Sequence, residues 1–492
     1  MNSRWFLLLF PALLWASCQK AFQGEELPNQ APETYMVADT IQRFEDNRFK
    51  SVVEVQWWGD DKDGFVKGYE ISTDGLTWTL TTEQDSVFTL VLPGNSDTAD
   101  FQFMVRAIDN EGLADPTPAS LVYPVKNSDP EVHFIISART PTRSFPALKY
   151  FWEGSDPDGN SSLDHYELCW NDTTLTPFQV SASFADASFV VSDLNAASPY
   201  CLVYPGNSNS PLSDSMPGMV LNSENKLFLR AVDKVGAASA WAETPEVFIR
   251  KPISDILFIN AQQSSFNRST VQQFYSNQIY TALNKNFDTL QAGPEGSAIT
   301  DLSVDPQTQD RVFSYFKKIF VYSENSEYIL SLLQRSSTGF FSKGGKLFLI
   351  TEGNDVIEDQ PSYLDFSPIA RYTARPAGVS LLYNQFDSLY SSIPGYPTIL
   401  NDAGILTGIR PFELPASGSN FTYSALYSGR ITEDNNGGIA IWTGNSTLVA
   451  KRVRVATNQT DFIIALLPIY KFQNGPAMQA WFQKMLVDEL QF

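Results

Sequence analysis

Hydrophobic positions along this chain change their spacing twice. Near the N-terminus, residues from Trp5 to Leu14 form one unbroken apolar run of about ten residues, too short for a bilayer-spanning helix of about 20. From residue 34 to about 250 the spacing is two. Val53, Val55 and Trp57 alternate with Glu54 and Gln56, and Phe101, Phe103 and Val105 alternate in the same way. That period predicts half-buried β-strands. After Pro252 the pattern changes again, to continuous apolar blocks at Ile256–Ile259, Ile319–Tyr322, Leu347–Ile350 and Phe462–Leu467. Such blocks suit strands buried on both faces. Between them lie helical spacings, at Val271, Phe274, Tyr275, Ile279 and Leu283, through Tyr328–Leu333, and from Ala477 to Leu490.

The alternating region is a repeat. Its first copy reads Val53-Glu54-Val55-Gln56-Trp57-Trp58, then Asp60-Asp61-Lys62-Asp63-Gly64, and closes on Arg106-Ala107-Ile108-Asp109-Asn110-Glu111-Gly112. The second reads Leu148-Lys149-Tyr150-Phe151-Trp152, then Asp156-Pro157-Asp158-Gly159, and closes on Arg230-Ala231-Val232-Asp233-Lys234-Val235-Gly236. Short acidic side chains followed by glycine supply turn chemistry. Short strands between such turns predict antiparallel sandwiches. Strands alternating with helices after residue 253 predict a doubly wound, mostly parallel α/β sheet. Ile439–Trp442 and Thr447–Val455 read as added antiparallel strands.

The expected organisation is a signal peptide over 1–17, a tether over 18–33, sandwich modules over 34–126 and 127–252, and an α/β domain over 253–492. Two resemblances refine it. The run ending Trp15-Ala16-Ser17-Cys18 resembles the lipobox of Bacteroidota-type exported lipoproteins, though Trp15 departs from the usual aliphatic residue. It implies lipidation at Cys18 and anchorage to the outer membrane, on its periplasmic or outer side; ordinary cleavage near Ser17 is the alternative. The repeat, with its early tryptophan and Arg-Ala-x-Asp-x-x-Gly strand, resembles fibronectin type III and immunoglobulin-like modules. Residues 253–492, through Asp255–Asn260, Gly344–Thr351 and Phe462–Phe472, resemble a degenerate class I glutamine amidotransferase-like (flavodoxin-like) domain.

Composition narrows the function. The 492 residues carry 55 acids against 34 bases, a net charge of -21, which repels phosphate backbones and argues against nucleic acid as a partner. Of three cysteines, Cys169 and Cys201 remain once Cys18 is assigned to lipid, and form a disulfide candidate in an exported chain. The acids of the two turns, Asp60, Asp61 and Asp63, and Asp156 and Asp158, are weak calcium candidates without EF-hand spacing. No cofactor is implied.

Residues 253–492 contain neither cysteine nor histidine, so an amidotransferase Cys–His dyad cannot be built there. Carboxylates are what remain. Glu324 follows the second buried block, and Glu352 and Asp355 follow the third, at strand ends where doubly wound sheets place their sites. Tyr363, Tyr372, Tyr383 and Tyr390 could stack on sugar rings. The expected function is a non-catalytic envelope lipoprotein whose C-terminal domain binds glycan or protein. The alternatives are a carboxylate-dependent glycan hydrolase and a purely structural envelope component.

Overall fold

A computed structural model of the chain describes residues 27–43, 50–91, 98–137, 140–264, 266–293, 301–303, 305–353, 366–435 and 438–492. β-structure dominates, and two compact units are present, divided after Asn127. Among the described residues no helix is long and apolar enough to cross a membrane.

The first unit is a sandwich. Its strands are β1 (Glu33–Arg43), β2 (Lys50–Asp60), β3 (Val66–Ser72), β4 (Thr79–Thr81), β5 (Asp85–Val91), β6 (Thr98–Asp109) and β7 (Ala119–Lys126). They form sheets ordered β1-β2-β5 and β4-β3-β6-β7, antiparallel throughout. The alternation selects the core: Val53, Val55 and Trp57 of β2 meet Tyr69 of β3 and Phe103, Val105 and Ala107 of β6.

The second unit begins with a copy of that sandwich. Its strands are β8 (Glu131–Phe134), β9 (Arg143–Ser144), β10 (Ala147–Ser155), β11 (Leu163–Trp170), β12 (Phe178–Ser181), β13 (Asp186–Val191), β14 (Tyr200–Pro205), β15 (Ser215–Pro217), β16 (Ser223–Asn225), β17 (Leu227–Asp233), β18 (Ala242–Glu243) and β19 (Val247–Ile249). The sheet β8-β10-β13 repeats β1-β2-β5 and is extended by β14 and β15; β12-β11-β17-β18 repeats β4-β3-β6-β7. A small third sheet joins β16, β19 and β9.

The shared late-strand motif has one physical reading in both copies. Its arginine crosses to a glutamate on the neighbouring strand, Arg106 to Glu70 and Arg230 to Glu167, each at 2.6 Å. The same guanidinium covers an indole, Trp78 at 4.2 Å and Trp241 at 4.7 Å. Its alanine is fully buried, where a larger side chain would not fit. Its aspartate caps the following turn: Asp109 accepts from the amides of Glu111 and Leu113, and Asp233 from those of Val235 and Ala237. The closing Gly112 and Gly236 have φ of 92° and 95°, which side chains resist.

Beyond Pro252 a nine-stranded mixed sheet begins. Strands β20 (Ile256–Ala261), β21 (Asp288–Gln291), β22 (Lys318–Ser323), β23 (Lys346–Thr351) and β33 (Gln459–Ala465) are mutually parallel, in the spatial order β21-β20-β22-β23-β33. The short strands β24–β31 lie between residues 371 and 441. Three of these, β29 (Phe421–Gly429), β26 (Ser388–Tyr390) and β27 (Ile399–Leu400), extend the sheet antiparallel beyond β32 (Thr447–Arg454).

Helices cover both faces. On one, α1 (Arg268–Leu283) and α5 (Pro476–Gln483) bury Val271, Tyr275, Ile279, Trp481 and Phe482 against Phe258, Phe320 and Phe348. On the other, α2 (Pro306–Phe313), α3 (Ser326–Ser336) and α4 (Thr338–Ser342) bury Phe313, Ile329, Leu330 and Phe340 against Leu257, Ile259, Val321 and Leu349. Helix α1 ends at Leu283, and Asn284 takes the left-handed cap conformation. The last helix shortens to α5 and continues as a π-turn over Lys484–Glu489.

Helix α2 also joins this sheet to the second sandwich. Arg311 donates to the Ser208 carbonyl at 2.8 Å and lies 3.9 Å over the Tyr204 ring. Just past the helix, the Tyr315 hydroxyl sits 2.8 Å from the carbonyls of both Pro146 and Val191. Phe145, Ala147 and Val190 of the sandwich belong to the same apolar cluster as Phe313 and Phe316.

Candidate functional site

The carboxyl ends of the parallel strands bring scattered residues together. Strand β20 leads to Gln262, β22 to Glu324, β23 to Glu352, and β33 through a short turn to Tyr470 and Lys471. The connection after β20 passes through α1 on one face, whereas those on either side of β22 pass through α2, α3 and α4 on the other. The chain therefore splits at the β20/β22 boundary, leaving the kind of crevice where parallel sheets hold ligands.

Two glutamates occupy that crevice with different surroundings. Glu324 is fully engaged: one oxygen accepts from the Gln262 amide, and the other from the Ser264 backbone N–H at 2.7 Å. Glu352 is less so. One oxygen accepts from the Tyr322 hydroxyl at 2.8 Å; the other faces the Lys471 ammonium at 3.9 Å. Burial pushes the Glu352 carboxyl above its ordinary range and Glu324 adds to the effect, while Lys471 and the Tyr322 hydroxyl oppose it. Even so, 27% of the Glu352 side chain and 33% of Lys471 meet solvent, so a ligand has access.

A tyrosine wall backs the pair. Tyr275 of α1 packs 4.9 Å from Tyr322, and Tyr470 lies 5.6 Å from Tyr322. Burial, then the nearby Glu352, pushes the Tyr470 hydroxyl up to about 12. Buried side-chain oxygens without a hydrogen-bond partner at this edge include Gln262 Oε1, on a residue 1% exposed, and Thr351 Oγ1, on a fully buried residue. Native structures leave few such groups unpaired, so each is informative.

Of the carboxylates expected here, Glu324 and Glu352 come together, while Asp355 lies outside the described residues. Cys18, the signal segment, most of the tether, and Tyr363 lie outside them as well. Tyr372 and Tyr383 are core residues, not stacking platforms, and Tyr390 sits on β26. Gln262, Tyr275, Tyr322, Tyr470 and Lys471 were not legible as site residues. Apart from Tyr275, which is on α1, their one sequence signal is position at or shortly after a buried apolar block.

Two expectations need correction. Cys169 and Cys201 are free, buried thiols. They sit on strands of opposite sheets, and Cys201 points into the inter-sheet core while its neighbours Leu168 and Trp170, not Cys169, do so from β11. The acidic turns do not assemble a cation site either: among the described residues no cluster of three or more Asp, Glu, His or Cys has metal-binding geometry. Asp61 and Asp156 instead cap the amides of Asp63 and Asp158, and Asp63 accepts from the Gln30 amide. The histidines pair locally, His165 with Asp164 at 2.8 Å and His133 with Glu153 at 3.8 Å.

No protein-family model matches the chain, and no curated protein matches it in sequence. Among solved structures, the PKD1 domain of Vibrio anguillarum Epp is 14% identical, matching 20% of this chain and 96% of that domain with a TM-score of 0.14. The fibronectin(III)-like modules of Clostridium thermocellum CbhA are 12% identical, over 44% of this chain and 95% of theirs, with a TM-score of 0.17. A tetra-tandem repeat from the extending region of a large adhesion protein is 12% identical, over 44% and 49%, with a TM-score of 0.18. At these scores the strand orders above, not the matches, define the class: a chain carrying two tandem β-sandwich modules.

Proposed function

We propose that this is an exported, non-catalytic envelope protein, anchored through lipid on Cys18, whose sandwich modules carry a ligand-binding C-terminal domain of flavodoxin-like, doubly wound type. The parallel order β21-β20-β22-β23-β33 supports that class, since it reads second-first-third-fourth-fifth in chain sequence. The observation carrying the binding role is the Gln262–Glu324–Glu352–Lys471 cluster at the β20/β22 crevice, with buried oxygens left unpaired beside it. Without cysteine or histidine in 253–492, the amidotransferase resemblance has no nucleophile to act with. The partner is an envelope glycan or protein.

One observation favours a second reading, a carboxylate glycan hydrolase. Glu352 holds its proton more tightly than usual beside another carboxylate, as a general acid must. It ranks lower because each Glu324 oxygen already accepts a hydrogen bond, from Gln262 and from the Ser264 N–H, which weakens the carboxylate as a base or nucleophile. The two readings separate in one experiment on the full-length protein, an envelope-glycan and envelope-protein binding screen with parallel reducing-end measurement. Retention that Glu352→Gln abolishes, with no new reducing ends, is the expected result. Release of reducing ends by the wild type, lost in Glu352→Gln, makes the protein a hydrolase.

A further inference from the structure

We infer that the Glu352–Lys471 gap holds two neighbouring hydroxyls of a neutral sugar ring, so that the ligand is a glycan and not a protein segment; the inference rests on the binding role proposed for this edge. The pair sits 3.9 Å apart, longer than a direct charge-assisted hydrogen bond. Glu352 keeps one oxygen not fully engaged by protein, and Lys471 has donors to spare. An anionic ligand would meet two glutamates, and a cationic one would have to compete with the ammonium already in place. A hydroxyl donates and accepts at once. Neighbouring hydroxyls on one ring can therefore donate to Glu352 and accept from Lys471, bridging the pair from its solvent side without adding charge.

A second, independent observation points the same way. Gln262 Oε1 is buried and has no partner, although the same amide group is pinned by its nitrogen to Glu324. It is an acceptor beside the Glu324 carboxylate that no protein donor satisfies. Glu324 is then a positioning residue: by gripping Gln262 and the Ser264 amide, it fixes the acceptor at the crevice wall.

Saturation-transfer NMR on the full-length protein tests the assignment, with methyl glycosides of glucose, galactose and mannose as probes. Deoxy analogues of each, lacking one of a neighbouring hydroxyl pair, serve as controls. At least one glycoside is expected to receive transfer, reduced roughly tenfold or more in Glu352→Gln, in Lys471→Met and in the matching deoxy sugar. Both substitutions preserve side-chain size, and an unchanged melting midpoint verifies folding. Equal transfer to parent and deoxy sugars, or transfer insensitive to both variants, overturns the diol assignment. Binding of an anionic or peptide probe that Glu352→Gln abolishes, with no sugar response, overturns the sugar assignment and keeps the binding site. No Glu352-dependent binding of any probe overturns both.

Discussion

The two sandwiches share a strand order and a motif, yet the outer face of one sheet has opposite fates in them. In β2 that face carries Glu54, Gln56 and Trp58; in β10 the matching positions are Lys149, Phe151 and Glu153. Trp58 is 48% exposed and stacks within 17° of Tyr35, their centroids 5.7 Å apart. Lys149, by contrast, has a side chain only 2% exposed. Its ammonium reaches Asp186 at 3.0 Å and Asp305 at 3.3 Å, the latter being the N-cap of α2. The inner faces agree because the same alternation builds both cores. The outer faces differ because the second sandwich presents its sheet to α2. Repeated sequence thus fixes how a module closes on itself, and a handful of outward residues fix what it joins.

The shared half of that comparison should produce the largest effects. Trp57→Ala and Trp152→Ala each remove a buried indole and are expected to cost about 3–5 kcal/mol. In calorimetry of the full chain, each variant should lower a different transition, which assigns the transitions to the two units. Both variants lowering the same transition would break the idea of separate cores.

The divergent half comes next. Lys149→Ala leaves Asp186 and Asp305 without their shared cation in a buried setting, for an expected loss of about 3 kcal/mol in the transition of residues 128–492. Glu54→Ala, at the equivalent half-buried position, should change the first sandwich by about 0.5 kcal/mol or less. Urea unfolding of the two variants measures the contrast; equal losses would erase it.

The smallest effect is in pH dependence. Burial pushes Asp156, Asp288, Asp310 and Glu352 of the second unit upward. Each contributes stability that is complete below its unfolded value of about 4 and lost as pH rises through its raised folded value. In the first sandwich, backbone amides of Thr77 and Leu76 hold Asp74 down to about 2. Its contribution is present above the unfolded value and lost as pH falls toward 2. Acidifying toward the unfolded value of about 4 should therefore raise the second unit's melting midpoint. The first sandwich should respond only below about pH 4, and then downward. Parallel movement of the two midpoints across this range would contradict the burial assigned to the second unit's carboxylates.

Much of the fold was legible because its signals are local. The alternation at Val53–Trp57 and at Leu148–Trp152, and the blocks at Ile256–Ile259 and Leu347–Ile350, each became a strand. Helix α2 was not anticipated, although Asp305-Pro306 is a capping signal: the aspartate accepts from the Thr308 amide at 2.7 Å, and proline occupies the first turn. Only eight residues long, with few apolar residues, it gives about two turns in which to read a period. The disulfide expectation failed for a different reason. Two cysteines in one module says nothing about which sheet each strand joins or which way its side chain points. At the site, strand-end position identified Glu324 and Glu352, but Gln262, Tyr322 and Lys471 are ordinary surface-type residues until folding gathers them.

By itself, the sequence determined the sandwich repeat and its acidic, glycine-closed turns, because each depends on residues close together in the chain. It also determined that residues 253–492 lack a cysteine–histidine dyad. Only the tertiary structure decided that Lys149 is neutralised from 156 residues away, and that residues 262, 324, 352 and 471 meet at one edge. Those contacts depend on which strands become neighbours and on which face each crossover helix passes. That choice is made by burying all the apolar blocks together, and no local stretch of the chain records it.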